Sequence, residues 1–408
     1  MHSSRDETAT EYASWAFIAI YALAYTGIWV ALLTPVIVTI ALRVSELAPA
    51  DAPRQLATIL SIGATCALLA GPLFGHLSDR TTSRFGMRKP WIVAGMLGGC
   101  VALSIVATAP TVTILLIGWC LAQFAFNAAL AGIVALLADQ IPSQQRGTVA
   151  GILGICMPLG QLIGAYLVQA AGSILLAFML PAALGTVAVL ALVATLRDRR
   201  LVTQPPPRER RAFRTELAAH RDFWCAWSSR LLLGIGTAFL TSYQPLFLIH
   251  TLQRPVSDVP ALMFRSMLLQ SLLVIAASLT FGRLSDRLRR RKPFVLLGAA
   301  SYTLGLWWIA SATSFESFLV GLALASVAHG MYFAVDLALV TDVLPDPRHD
   351  AAKDLGILNI TNTLPQIVAP LAGAAILLVA QGSYATMYVI AGTIALLGAA
   401  ALVPIRAR

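Results

Sequence analysis

Long apolar runs alternate with short polar ones along the whole chain. Twelve runs are read at about 13–42, 55–77, 91–109, 112–138, 148–170, 174–196, 222–250, 261–282, 294–312, 316–341, 355–380 and 384–403. A helix of about 20 such residues crosses the hydrocarbon core of a bilayer. The most polar internal stretch, 197–221, carries Arg197–Arg200, Pro205–Pro207 and Arg208–Arg211, and it divides the spans six and six. The pattern predicts an all-α membrane protein of twelve transmembrane helices. Two six-helix bundles, 1–196 and 222–408, are joined by a basic cytoplasmic linker, 197–221.

Composition points the same way. Of 408 residues, 58% are hydrophobic and 12% charged, against about half and a quarter in soluble domains. This excludes a soluble enzyme, a coiled coil and a disordered chain. The five cysteines show no CxxC and no zinc spacing, so they read as reduced thiols packed as small hydrophobes. The first run is too long for a signal-peptide core and is flanked by Asp6, Glu7 and Glu11, so it reads as a retained first helix.

The net charge of +10 is spread between the spans rather than gathered on one surface, which speaks against a nucleic-acid partner. It orients the chain instead. With both termini on one side, that side holds 24 Lys and Arg, and the other only Arg43, Arg54, Arg254 and Arg265. This asymmetry predicts a multi-pass protein of the cell membrane with both termini cytoplasmic.

The two halves repeat each other. Gly75-His-Leu-Ser-Asp79-Arg80 followed by Arg88-Lys89-Pro90 matches Gly282-Arg-Leu-Ser-Asp286-Arg287 followed by Arg291-Lys292-Pro293, at an offset of 207. Asp139-Gln-Ile-Pro142 then Gly151-Ile-Leu matches Asp342-Val-Leu-Pro345 then Gly356-Ile-Leu, at offsets of 203 and 205. Thr34-Pro35 matches Gln244-Pro245 at an offset of 210. Parallel repeats of this kind describe a transporter that rocks two bundles about a midplane site.

Gly75-x-Leu-Ser-Asp79-Arg80 between spans two and three resembles the signature loop of the major facilitator superfamily, and here it occurs twice. The extended form running through Arg84, Gly86 and Arg88 to Trp91 is similar to the glycoside–cation and sucrose–proton symporter branch. So is Gly356-Ile-Leu-Asn359 with Leu364-Pro365-Gln366. The resemblance implies a gating role for Gly75, Asp79, Arg80, Arg88, Gly282, Asp286 and Arg287. Physically, each Asp can accept hydrogen bonds from a neighbouring helix N-terminus or pair with a nearby Arg, and such contacts bias a two-state equilibrium. Span two lacks the paired acids that melibiose-type members use for sodium. Span five, with Gly151, Gly154, Gly160 and Gly164, partly matches the glycine-rich stretch of drug/proton antiporters but lacks its Gly-Pro pair; close helix packing is the plainer reading.

Polar groups within spans are costly and mark functional candidates. Asn359, Asn362 and Gln366 of span eleven share one helical face, as do Gln123 and Asn127 of span four. Tyr25 and Trp29 follow Tyr21 along span one, and Tyr243 and Gln244 stand beside Pro245 in span seven. Amides with aromatic faces suit a hydroxyl-rich solute. Asp336 of span ten shares a face with His329 and Tyr332, which makes it the candidate for proton coupling; a structural pairing with Arg230 is the rival. Arg230 either snorkels to the inner surface or meets an anionic group.

The expectation is a monomeric secondary active transporter of a small polar organic solute, sugar- or glycoside-like, symported with protons through the lipid bilayer by alternating access. The alternative is proton-coupled efflux of a drug-like compound or secondary metabolite. A receptor that kept the fold without transporting is disfavoured by the doubled signature loop. No HExxH, GxSxG, Walker loop or Cys/His cluster is present, so no enzyme, metal site or cofactor is expected.

Overall fold

A computed structural model describes residues 12–196, 198, 221–288, 292–342 and 351–402; at 143, 147, 150, 221–223, 286, 292, 333, 335–342 and 351–359 it describes backbone alone. Among the described residues twelve helices are long and apolar enough to cross a membrane. They are α1 (Trp15–Leu47), α2 (Ala52–Asp79), α3 (Lys89–Thr108), α4 (Val112–Gln140), α5 (Ser143–Ala170), α6 (Ile174–Thr195), α7 (Arg221–His250), α8 (Val259–Leu288), α9 (Lys292–Ala310), α10 (Phe315–Asp342), α11 (Ala351–Val379) and α12 (Tyr384–Leu402). The described residues contain no strand, as a lipid-immersed backbone requires: a helix satisfies its own peptide groups.

Local sequence sets the helix ends. Ser14, Thr111 and Ser173 accept from the third backbone N–H beyond them at 3.2–3.3 Å, starting α1, α4 and α6. Pro35 has no N–H to give, and α1 passes there through one π turn, Pro35–Thr39.

The helices pack in the order α2-α4-α3-α6-α1-α5 and, repeated, α8-α10-α9-α12-α7-α11. The repeat extends to atoms. A Cβ on Gly95 of α3 would stand 2.5 Å from Ala125 O and Ala129 N of α4. One on Gly298 of α9 would stand 3.2 Å from Ala328 O and Tyr332 N of α10. Each of these residues lies 203 beyond its counterpart. Gly118 beside Val106 N and Gly321 beside Ile309 N repeat at the same offset.

Between the bundles α2 packs on α11 and α5 on α8, and the π turn of α1 touches α7. Ser61 Oγ donates to Ile367 O at 2.7 Å, and the rings of Tyr166 and Phe264 meet edge to face at 5.5 Å. These contacts lie away from the signature-loop end of the molecule. Toward that end, Gly151 and Gly154 of α5 face open space, whereas Gly160 and Gly164 pack tightly on α1. The glycine stripe is therefore close packing in one half only.

Candidate functional site

At the signature-loop end one cation ties three helices. Arg88 is buried, its side chain 6% exposed. Its Nη1 lies 2.7 Å from Asp79 Oδ1 and donates to Ser78 Oγ at 2.9 Å, both at the end of α2; its Nε donates to Asp139 Oδ2 at 2.8 Å, at the end of α4. Burial opposes the charge, but the bonds to Asp139 and Asp79 outweigh it and raise the pKa of Arg88 above its ordinary value.

Asp79 thus takes an arginine. The helix N-terminus that sequence offered it is held by another carboxylate. Asp198 Oδ2 accepts from the backbone N–H groups of Arg88 and Lys89 at 2.7 and 2.8 Å, where the partial positive charge of α3 favours an anion. Gly86 makes room: its φ is +106°, and a Cβ there would overlap the Asp198 carboxylate. Neither Asp198 nor Ser78 stood among the sequence candidates. Asp198 was masked by the arginines on either side of it, whereas Asp139 carried a signal in the repeated Asp-x-x-Pro. Of the other signature residues, Gly75 faces open space, Gly282 lies 3.6 Å from Ala334 Cβ through an added Cβ, and Arg287 is exposed. Arg80 makes no side-chain hydrogen bond or ion pair among the described residues. The side chain of Asp286 lies outside them.

Deeper in the first bundle a recess of ≈ 260 Å³ is lined by Tyr21, Tyr25, Val134, Leu137, Leu153 and Gly154. Tyr21 is fully buried and donates to Ile133 O at 2.9 Å. Tyr25 borders the recess and meets Trp29 edge to face at 5.9 Å. Gln123 is buried, and Asn127 donates to its carbonyl at 2.8 Å and to its Oε1 at 3.2 Å. Their spacing therefore produces a bond within one helix, with Asn127 the less buried partner.

In the second bundle Asn362 and Gln366 are exposed on α11, the helix that meets α2 through the Ser61–Ile367 contact; the side chain of Asn359 lies outside the described residues. Arg230 Nη2 donates to Asn362 Oδ1 at 3.4 Å. Tyr332 is buried, its hydroxyl 3.3 Å from Ser229 Oγ. His329 turns its ring to Tyr302 of α9, centroids 6.1 Å apart. The side chain of Asp336 lies outside the described residues, so the trio is described only at two members.

One sequence candidate departs from the expected wall. Tyr243 is 0% exposed, packs on Gly373 and donates to Pro370 O at 2.5 Å. Its hydroxyl already has a backbone acceptor and offers nothing to a cavity in this conformation. Gln244 is also buried, and its Nε2 makes no hydrogen bond among the described residues. No group of three or more metal-ligating side chains occurs among the described residues.

These features can be compared with known proteins. Over 103 residues the chain is 33% identical to the multidrug resistance protein MdtL of Klebsiella pneumoniae subsp. pneumoniae, covering 25% of this chain and 26% of that one. MdtL of Shewanella oneidensis is 32% identical over 97 residues, 24% of each chain. The match thus spans about a quarter of the length of these curated relatives.

Solved structures match throughout. A bacterial homologue of the human lysosomal transporter Spinster, inward-facing and unoccupied, is 15% identical with a TM-score of 0.70, covering 95% of this chain and 94% of that one. The nucleoside transporter NupG is 16% identical with a TM-score of 0.71, covering 96% and 99%. A D-xylose–proton symporter is 16% identical with a TM-score of 0.69, covering 96% and 98%. At this identity they establish the fold: two bundles of twelve helices in all. The family model described as Major Facilitator Superfamily matches residues 14–270 and 266–408. The chain belongs to the Major Facilitator Superfamily and, with its twelve apolar helices, is a multi-pass membrane protein.

Proposed function

We propose that the chain transports a small polar organic solute, sugar- or glycoside-like, across the cell membrane by alternating access with protons, as a monomer with both termini cytoplasmic. The observation that carries this reading is the exposed amide face of α11. Asn362 and Gln366 are exposed on α11, the helix that packs on α2 of the first bundle, so their amides are open to a solute. Asn127, Tyr25 and Trp29 supply further polar and aromatic surface from the first bundle. Losing one partner of a buried hydrogen bond costs about 1–3 kcal/mol, or roughly 5- to 150-fold in affinity. Asn362→Ala and Gln366→Ala are expected to weaken solute binding within that range, read by uptake into proteoliposomes from a panel of sugars and glycosides. Unchanged affinity for every transported solute in both variants would make the face structural.

Asp336 is the coupling carboxylate in this proposal. An acidic residue within an apolar span is costly when charged, and in this proposal Asp336 takes a proton from one side and releases it to the other. Asp336→Asn mimics the permanently protonated state. It is expected to abolish accumulation driven by a pH gradient while sparing solute exchange, which needs no net proton movement. Accumulation with normal pH dependence in the variant would place coupling elsewhere.

A second reading, proton-coupled efflux of a drug-like compound, is favoured by the apolar residues around the Tyr21–Tyr25 recess and by the short likeness to multidrug resistance proteins. Transport of lipophilic cations in preference to sugars in the same assay would select it.

A further inference from the structure

We infer that Arg230, held by Asn362, receives an anionic group of the transported solute, a carboxylate or a phosphate oxyanion. The inference rests on the polar-solute reading above and narrows its substrate class.

The direction of Arg230 follows from its neighbours on α7. Ser229 meets Tyr332 of α10. A Cβ on Gly234 would lie 3.0 Å from Pro365 Cγ and 3.2 Å from Thr361 O of α11. At about 100° per residue, Arg230 leaves the helix roughly 100° on from Ser229 and 40° short of Gly234. It therefore projects between α10 and α11. Its reach to the exposed Asn362 agrees with that direction.

The direction argues against simple snorkelling. Arg230 lies nine residues inside Arg221, where α7 begins, or about 14 Å along the axis. Its side chain is directed across to α11, not back along α7. Cations within spans are costly, and such residues mark substrate pathways. Guanidinium presents a planar fork that matches carboxylate and phosphate by paired hydrogen bonds. The Asn362 carbonyl accepts from one arm and fixes the plane, while Gln366, one turn further along α11, stands ready for the solute's hydroxyls. An anion bound there would touch both the cation of α7 and the amide face of α11.

The test uses the purified full chain in nanodiscs at low salt and three probes: D-glucuronate, D-glucose 6-phosphate and D-glucose. Affinities are read from intrinsic tryptophan fluorescence. At least one anionic probe is expected to bind at least tenfold more tightly than glucose, and which one separates carboxylate from phosphate. Arg230→Gln should weaken that probe about 10- to 100-fold and leave glucose unchanged. Arg230→Lys, which keeps the charge without the fork, should recover only part of the loss and serves where the glutamine variant does not fold. Anionic probes that bind no better than glucose to the wild type overturn the inference while the polar-solute reading stands. So does an Arg230→Gln variant with unaltered anion affinity, which would assign the cation to a structural pairing such as Asp336. Binding of tetraphenylphosphonium with none of the three probes overturns both readings.

Discussion

Arg88→Ala is expected to lower the stability of the protein by about 3 kcal/mol, the loss typical of breaking a buried ion pair. The guanidinium is 6% exposed and joins the ends of α2 and α4 through Asp79, Ser78 and Asp139. Asp79 is 62% exposed at its side chain and can rehydrate, so most of the cost falls on Asp139, at 29%, and on the void left behind. Arg88→Lys should restore only part, because an ammonium cannot span the same acceptors at fixed angles. Arg80→Ala is the control, with an expected change within about 0.5 kcal/mol. Thermal unfolding in nanodiscs compares the three. An Arg88→Ala protein that melts with wild type while Arg80→Ala melts early would reverse the assigned roles.

Gly86→Ala should be nearly as severe, at about 3 kcal/mol, from two sources. A φ of +106° lies where side chains are strained by about 1–3 kcal/mol. The added methyl group also displaces the Asp198 carboxylate from the N–H groups of Arg88 and Lys89, and hydrogen bonds to a charged group contribute about 1.5–3 kcal/mol. The two contributions separate in a double-mutant cycle. In an Asp198→Ala background the collision is gone, and Gly86→Ala should cost only its backbone strain. Strictly additive effects would mean that the carboxylate does not occupy the position that Gly86 leaves open.

The spans were legible because about 20 apolar residues in a row is a long signal with few competing explanations. Their ends were not, since helices continue past the apolar run into polar interface: α5 begins at Ser143, where the run begins near 148, and α2 ends at Asp79 instead of 77. Side-chain direction was the harder problem. A helix apolar on every side carries no stripe to show which face is wall and which is core. Tyr243 therefore read like Tyr25, yet one packs inside its bundle and the other borders a recess. Spacing placed Gln123 and Asn127 together, but not that they would bond to each other. Asp198 closes on residues about 110 positions earlier, a pairing that chain order alone does not encode.

The contacts that recur every 203 residues between α3–α4 and α9–α10 also measure how far the halves have drifted apart. In the first copy the ring of Phe126 covers Gly99; in the second, at the same offset, stand His329 and Tyr302. Ala129 answers to Tyr332 and Ile133 to Asp336, and with the offsets of the neighbouring spans Ile20 answers to Arg230 and Met157 to Asn362. At each pair the hydrocarbon member belongs to the first copy and the ionisable or hydrogen-bonding member to the second. The halves have also drifted in the other direction: at the same offsets Asn127 answers to Gly330 and Tyr25 to Ile235, so each copy carries polar or aromatic positions that the other has lost.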